Sequence, residues 1–227
     1  MAIIFSGVVA RERIQPLIKQ RLKRIGKTPL LTILFPEQNE NQNSFLLAKE
    51  REAHHLGVET RIIHIAKNAT IGTYKNEIKN AAKHSDGILI QLPISKGLDT
   101  QTILNTIPYK KDVEALSAQR FGEIFQDEAS IYSPVAKAAV NAVYFAMDTL
   151  RRDPAEQNVC IVGFNNLTGK PATAVLSRTF GSISICRSHT PEKTLKKNLA
   201  EADVIISSTG KIDFIVPDMI KEGSILI

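Results

Sequence analysis

Val159-Cys160-Ile161-Val162-Gly163-Phe164-Asn165-Asn166-Leu167-Thr168-Gly169-Lys170-Pro171 is the stretch on which the fold turns. Four apolar residues run into a glycine, and a second glycine stands where a helix is predicted to begin. An apolar strand, a glycine turn and a helix N-terminus are the setting in which backbone N–H groups hold a phosphate. Gly163 lets the chain turn tightly, and Gly169 permits close packing or close approach. The spacing departs from the usual dinucleotide fingerprint, so a plain strand-to-helix turn is the alternative reading of these residues.

Strand-like runs recur downstream at 183–186, 204–206 and 224–227. Upstream, Val9, Ile14, Leu17, Ile18, Leu22 and Ile25 recur at helical spacing, with Pro16 expected to kink or offset that helix. Residues 30–35 read as a buried strand, 43–56 as a helix stopped by Gly57, and 58–65 as a strand. A helix over 74–83 and a strand over 87–92 follow. The alternation predicts parallel βαβ units and an α/β sheet. After a break behind Pro134, residues 136–150 read as one long helix, and Arg151-Arg152-Asp153-Pro154 as a polar hinge. The expected organisation is an N-terminal α/β domain over 1–135, a connecting helix and hinge over 136–152, and a Rossmann-type nucleotide-binding domain over 153–227. Ile225-Leu226-Ile227 reads as the inside of a buried strand, where a terminal carboxylate would cost several kcal/mol. The sequence is therefore expected to be a fragment, with its second domain incomplete at the C-terminus.

The 227 residues are 43% hydrophobic and 23% charged, ordinary proportions for a globular protein. No apolar run approaches the roughly 20 residues that span a bilayer, and the N-terminus lacks the pattern of a secretion signal. No membrane association and a cytoplasmic location are expected. Cys160 and Cys186 lie in apolar strands and read as two buried thiols. Neither they nor the five histidines show metal-ligand spacing, so no metal is expected. The net charge of +6 concentrates early, in Arg11, Arg13, Lys19, Arg21, Lys23, Arg24 and Lys27. A solvated helix face accounts for it first and attraction of an acidic small molecule second. Basic-aromatic interleaving is missing, so no nucleic-acid partner is expected.

Three elements of the first domain could carry chemistry. Lys49 lies on the predicted helix over 43–56, with Phe45 one turn before it on the same side. Gln91 ends the strand that begins Asp86-Gly87-Ile88, and ligands of open α/β sheets lie beyond strand C-termini. Lys111-Asp112-Val113-Glu114 puts two carboxylates on one side of an extended stretch. A surface lysine, a satisfied turn amide and a solvated acidic pair are the bland alternatives. In the second domain, the next strand end carries Cys186-Arg187-Ser188-His189-Thr190, with Lys193 behind. NAD-preferring folds place Asp or Glu there to bind the ribose diol. A cation and two hydroxyls suit a 2′-phosphate instead, so NADP is the expected cofactor if a dinucleotide binds. A solvated loop is the alternative.

The segments SFLLAKEREAHHLG, DGILIQLPISKGLD, IPYKKDVEALS, YSPVAKAAV, VCIVGFNNLTGKP and ADVIISSTGK…IKEGSILI occur in one order and spacing. In these the chain resembles the bifunctional methylenetetrahydrofolate dehydrogenase/cyclohydrolases. The resemblance implies NADP-dependent oxidation of 5,10-methylenetetrahydrofolate, hydrolysis of the methenyl product to 10-formyltetrahydrofolate, and a homodimer. It assigns Lys49 as the catalytic lysine, Gln91 as the glutamine that orients it, and Phe45, Asp112 and Glu114 as substrate-binding residues. Gly163, Asn165, Gly169, Arg187 and Ser188 are the implied cofactor-binding residues. Several positions depart from the family pattern. Phe45 replaces a tyrosine, Glu114-Ala115 replaces Asp-Gly, Phe164-Asn165 replaces Arg-Ser, and Ser133-Pro134-Val135-Ala136 replaces Thr-Pro-Lys-Gly. A relative that binds folate but lacks one or both activities is therefore the alternative, followed by an unrelated interaction protein on the same fold.

Overall fold

The computed structural model describes residues 4–37, 41–129 and 131–227, and of residues 41–43 the backbone alone. The chain divides into two compact units, one of residues 6–119 and one of residues 120–227 with the described residues 4 and 5. Each contains its own parallel sheet.

The first unit opens with α1 (Gly7–Ile25), whose N-cap Ser6 accepts a hydrogen bond from the Val9 N–H and whose end is set by Gly26 at φ 71°. The helix runs through Pro16, which does not end it as a mid-helix proline often does. Gln15 and Lys19, on either side of the proline, bond to Glu52 and His55 and hold both halves against one neighbour. That neighbour is α2 (Asn41–Leu56), which follows the buried strand β1 (Leu30–Pro36). Next come β2 (Glu59–Ile65), α3 (Ile71–His84) and β3 (Gly87–Ile90). Thr70 and Thr73 exchange backbone and side-chain hydrogen bonds as a capping box at the start of α3. The strand order is β2-β1-β3, all parallel. The first crossover thus leaves β1 to one side and the second returns to its other side. The C-terminal ends of β1 and β3 form the switch point where ligands of such sheets bind. Two short helices that hydropathy did not reveal, α4 (Thr100–Leu104) and α5 (Ala118–Phe125), lead into the second unit.

The second unit begins its regular structure with α6 (Pro134–Leu150). Val140, Val143 and Met147 on that helix join Val159, Ile161, Leu176, Val204 and Ile206 in one core. Then follow β4 (Asn158–Val162), α7 (Gly169–Leu176), β5 (Ser182–Cys186), α8 (Glu192–Glu201), β6 (Val204–Ser207) and β7 (Ile225–Leu226). The parallel order β5-β4-β6-β7 again puts a switch point at the first strand, β4. The strand expected at 225–227 forms as β7, paired with β6. Ile225 and Ile227 pack on the core, whereas Leu226 points outward and is 52% exposed.

Candidate functional site

In the first unit Leu46 anchors α2 by packing on Ile33, Phe35 and Leu89 of the sheet. Lys49, three residues further on, therefore projects over the strand ends. Gln91 follows β3 directly, and its N–H still donates to the Leu34 carbonyl at 2.9 Å, which fixes its backbone. Its side-chain amide donates to the Leu92 carbonyl at 3.1 Å. That bond turns the amide oxygen toward Lys49, whose Nζ donates to Oε1 at 2.9 Å. Glu114 completes the group, with Oε1 3.7 Å from the same Nζ and a side chain only 18% exposed. Burial pushes the Glu114 carboxyl above the usual carboxylate range; Lys49 opposes the shift and Asp112 adds to it.

The segment carrying Glu114 is tied down on both sides. Ile88 of β3 and Asp112 form a parallel bridge. Lys111 Nζ donates to the carbonyls of Ala82 and, at 2.7 Å, Ser85, closing the C-terminal end of α3. Asp112 is 2% exposed, and its two oxygens accept from the backbone N–H groups of Leu116 and Ser117 at 3.3 and 2.9 Å. Its carboxylate thus shapes the turn that presents Glu114. Ala115 within that turn takes φ 54°, a left-handed conformation that costs an L-residue about 1–2 kcal/mol and glycine little. The turn keeps the shape glycine would favour although the glycine is gone. Phe45, 67% exposed, stands one helical turn before Lys49.

In the second unit a pocket of about 350 Å³ opens at the C-terminal ends of β4, β5 and β6. Gly163 forms part of its wall at φ 96° and donates its N–H to the Cys186 carbonyl at 2.9 Å. A Cβ added to Gly169 would fall 2.0 Å from the Gly163 carbonyl oxygen, so only glycine lets α7 start this close to the loop. Asn165 shapes the loop. Its Oδ1 accepts from the N–H groups of Leu167 and Thr168, and its Nδ2 donates to Ser208 Oγ and the Ser208 carbonyl. Arg187 and Ser188 lie exposed on the pocket's rim. Beneath them Cys160 and Cys186 are free and buried with Sγ atoms 3.9 Å apart, and burial pushes the Cys160 thiol up to about 12.

The structure thus brings Lys49, Gln91 and Glu114 together, with Asp112 behind them, and gathers Gly163, Asn165, Arg187 and Ser188 on a second pocket. Sequence reading missed Ser208, Thr209, Lys211 and Phe214, which line that pocket. The signal available was Ser208-Thr209-Gly210-Lys211 directly after an apolar strand, at the switch point. It also missed Phe164, whose ring lies under the Arg187 guanidinium at 5.5 Å.

Two parallel βαβ sheets with these two sites define a two-domain α/β enzyme with a nucleotide-binding unit. The tetrahydrofolate dehydrogenase/cyclohydrolase catalytic domain matches residues 6–114, and the NAD(P)-binding domain of the same enzymes matches residues 137–227. The chain belongs to the tetrahydrofolate dehydrogenase/cyclohydrolase family. It is similar to the bifunctional protein FolD of Caldanaerobacter subterraneus, with 26% identity across 99% of this chain and 79% of that protein. The FolD protein of Staphylococcus aureus shares 28% identity, over 92% of this chain and 71% of its own. The fold is that of the solved methylenetetrahydrofolate dehydrogenase-cyclohydrolase of Trypanosoma brucei, at a TM-score of 0.88 and 18% identity over 99% of this chain and 77% of that one. The Campylobacter jejuni FolD structure gives a TM-score of 0.83 at 24% identity, over 96% of this chain and 77% of that one.

Proposed function

We propose that this chain is an enzyme of one-carbon metabolism that oxidises 5,10-methylenetetrahydrofolate with NADP and hydrolyses the methenyl product to 10-formyltetrahydrofolate. The observation that carries the reading is the contact of Lys49 with Gln91 at 2.9 Å and with Glu114 at 3.7 Å, at the switch point of the first sheet. The nucleotide pocket fits a dinucleotide. The absence of a Cβ at Gly169 lets α7 start against the Gly163 loop, and Arg187 and Ser188 on the rim offer a 2′-phosphate a cation and a hydroxyl. Gly163, Asn165 and Gly169 would shape the phosphate-binding loop. Bound NADP supplies the acceptor for the hydride that leaves the methylene carbon, and the residues of the chain align the two reactants.

Hydrolysis is the step for which Lys49 is built. Water adds to the methenyl carbon and one of its protons must be taken up; the carbon–N5 bond then breaks as the remaining hydroxyl proton passes to N5, leaving the formyl group on N10. An ammonium cannot accept the first of these protons, so Lys49 first releases one of its own. Glu114, 3.7 Å away, can take it once the pair closes to hydrogen-bond distance, and burial holds its carboxyl above the usual carboxylate range. Gln91 keeps the amine aimed by accepting one of its N–H bonds. Phe45 offers a ring for stacking on the substrate's aminobenzoate, and Asp112 holds the turn that carries Glu114. The competing reading is a folate-binding relative that lacks one or both activities, and it draws on Phe45 and Glu114 standing where the family pattern has tyrosine and aspartate.

A homodimer is the assembly proposed by resemblance. Among the described residues no helix is long and apolar enough to cross a membrane. The cytoplasm is the location proposed. Titration with NADP and NAD, coupled to methenyl formation, tests the cofactor assignment. NADP is expected to bind at least about tenfold more tightly, a charge-assisted bidentate contact being worth about 1.5–3 kcal/mol. Arg187→Ala is expected to erase that preference. Equal affinities in the unaltered protein would overturn it.

A further inference from the structure

We infer that Phe164 is a positioning residue whose ring seats the Arg187 guanidinium on the rim of the nucleotide pocket and so sets the preference for a phosphorylated dinucleotide. The inference rests on the reading of Arg187 given above.

The two residues meet at the ends of neighbouring strands, past the turn at Gly163. Val162 and Cys186 are partners in the parallel β4–β5 ladder, and Gly163 bonds back to Cys186. Arg187 is the first residue after Cys186 and Phe164 the second after Val162, so both leave adjacent strand ends, and beyond the turn at Gly163 (φ 96°) the ring lies under the guanidinium. The Phe164 backbone lies between two fixed residues. Gly163 is pressed against Ser208, so that even a Cβ there would lie 2.8 Å from Ser208 Oγ, and Asn165 makes four hydrogen bonds of 2.8–3.1 Å. The ring thus stands on a rigid loop, with the Arg187 Cζ 5.5 Å from its centre. Among the described residues the Arg187 guanidinium has no carboxylate within ion-pair distance. Lys170, the other cation near the ring at 6.0 Å, is already committed, since its Nζ donates to Asn166 Oδ1 at 2.7 Å.

The choice of seat matters chemically. A carboxylate would neutralise the guanidinium and occupy its N–H groups. An aromatic face holds the cation through its quadrupole and uses none of the five donors, which lie in the guanidinium plane. The charge and the donors stay available for a dianionic phosphate, while much of the freedom of a long exposed side chain is lost before the ligand arrives.

The test is calorimetric titration of NADP and NAD into the full chain and its variants, each first shown to melt cooperatively. Phe164→Leu is expected to weaken NADP two- to five-fold more than it weakens NAD, the range of an exposed cation–π contact. Phe164→Tyr, which keeps the aromatic face, is expected to restore NADP binding. In an Arg187→Ala background Phe164→Leu is expected to change the NADP/NAD ratio no further. Should Phe164→Leu fail to melt cooperatively, Phe164→Met takes its place in every arm. Equal weakening of both cofactors, or an effect that persists without Arg187, would overturn the inference and leave the Arg187 assignment intact. If Arg187→Ala itself leaves the ratio unchanged, the assignment and the inference fall together.

Discussion

Gly169→Ala probes the nucleotide loop at its tightest contact. A Cβ at this position would lie 2.0 Å from the Gly163 carbonyl oxygen, 2.9 Å from Phe164 Cα and 3.0 Å from the Gly163 carbonyl carbon. All three are backbone atoms, so no flexible side chain can swing aside. Ordinary contact begins near 3.4 Å, so the loop or the first turn of α7 would have to retreat by about 1.4 Å. Overpacking costs typically 1–3 kcal/mol, and backbone against backbone belongs at the upper end, about 3 kcal/mol. For a chain of this size that corresponds to a fall in Tm of about 6–12 °C. The displaced atoms carry Gly163 and Phe164 of the pocket wall, so NADP affinity is expected to fall by about tenfold or more. Scanning calorimetry and cofactor titration read the two effects. Gly122→Ala is the control, because nothing lies within 4 Å of its Cβ position and it sits inside α5. That change should be neutral or stabilise by up to about 1 kcal/mol. If Gly169→Ala melts within about 2 °C of the parent and binds NADP equally well, the close-approach argument is wrong.

Asp112→Asn would set an amide N–H₂ against one of the two backbone N–H groups that the carboxylate now accepts. A loss of about 1–3 kcal/mol in urea unfolding is expected; an unchanged midpoint would remove Asp112 from its role in the turn. Glu114→Gln changes the pH dependence of stability. Because burial raises the Glu114 carboxyl from its ordinary 4.5, its favourable contribution is complete below that value and is lost as pH rises through the raised one. The stability difference should therefore move in favour of Glu114→Gln as pH climbs from about 4.5 toward neutrality. Parallel curves for the two proteins would show that the carboxyl is not perturbed.

What was legible in the sequence follows from how much each feature depends on neighbours in the chain. β1, β3 and β4 are continuous apolar runs because parallel strands are covered on both faces, and such runs stand out. Lys49 and Gln91 were legible from a helix face and a strand end, both local features. α4 was not, since five residues are too few to show a helical period. The Lys49–Glu114 contact depends on two distant segments and on the length of one side chain, which no local pattern reports. Phe164 reads from sequence as a departure from the expected pair. Its place beneath Arg187 depends on the pairing of β4 with β5 and on the turn at Gly163, neither of which is local to Phe164.

The central claim is that Lys49, aimed by Gln91 and paired with Glu114, handles the proton of methenyl hydrolysis. Lys49→Met keeps most of the side-chain length and removes the amine. The decisive measurement assays methenyl formation and methenyl hydrolysis separately on this variant. Hydrolysis is expected to fall by about 10²-fold or more, the usual share of a general base. Methenyl formation, which depends mainly on alignment of the two reactants, is expected to stay within about tenfold of the parent. Hydrolysis that persists at the parental rate in Lys49→Met would contradict the account.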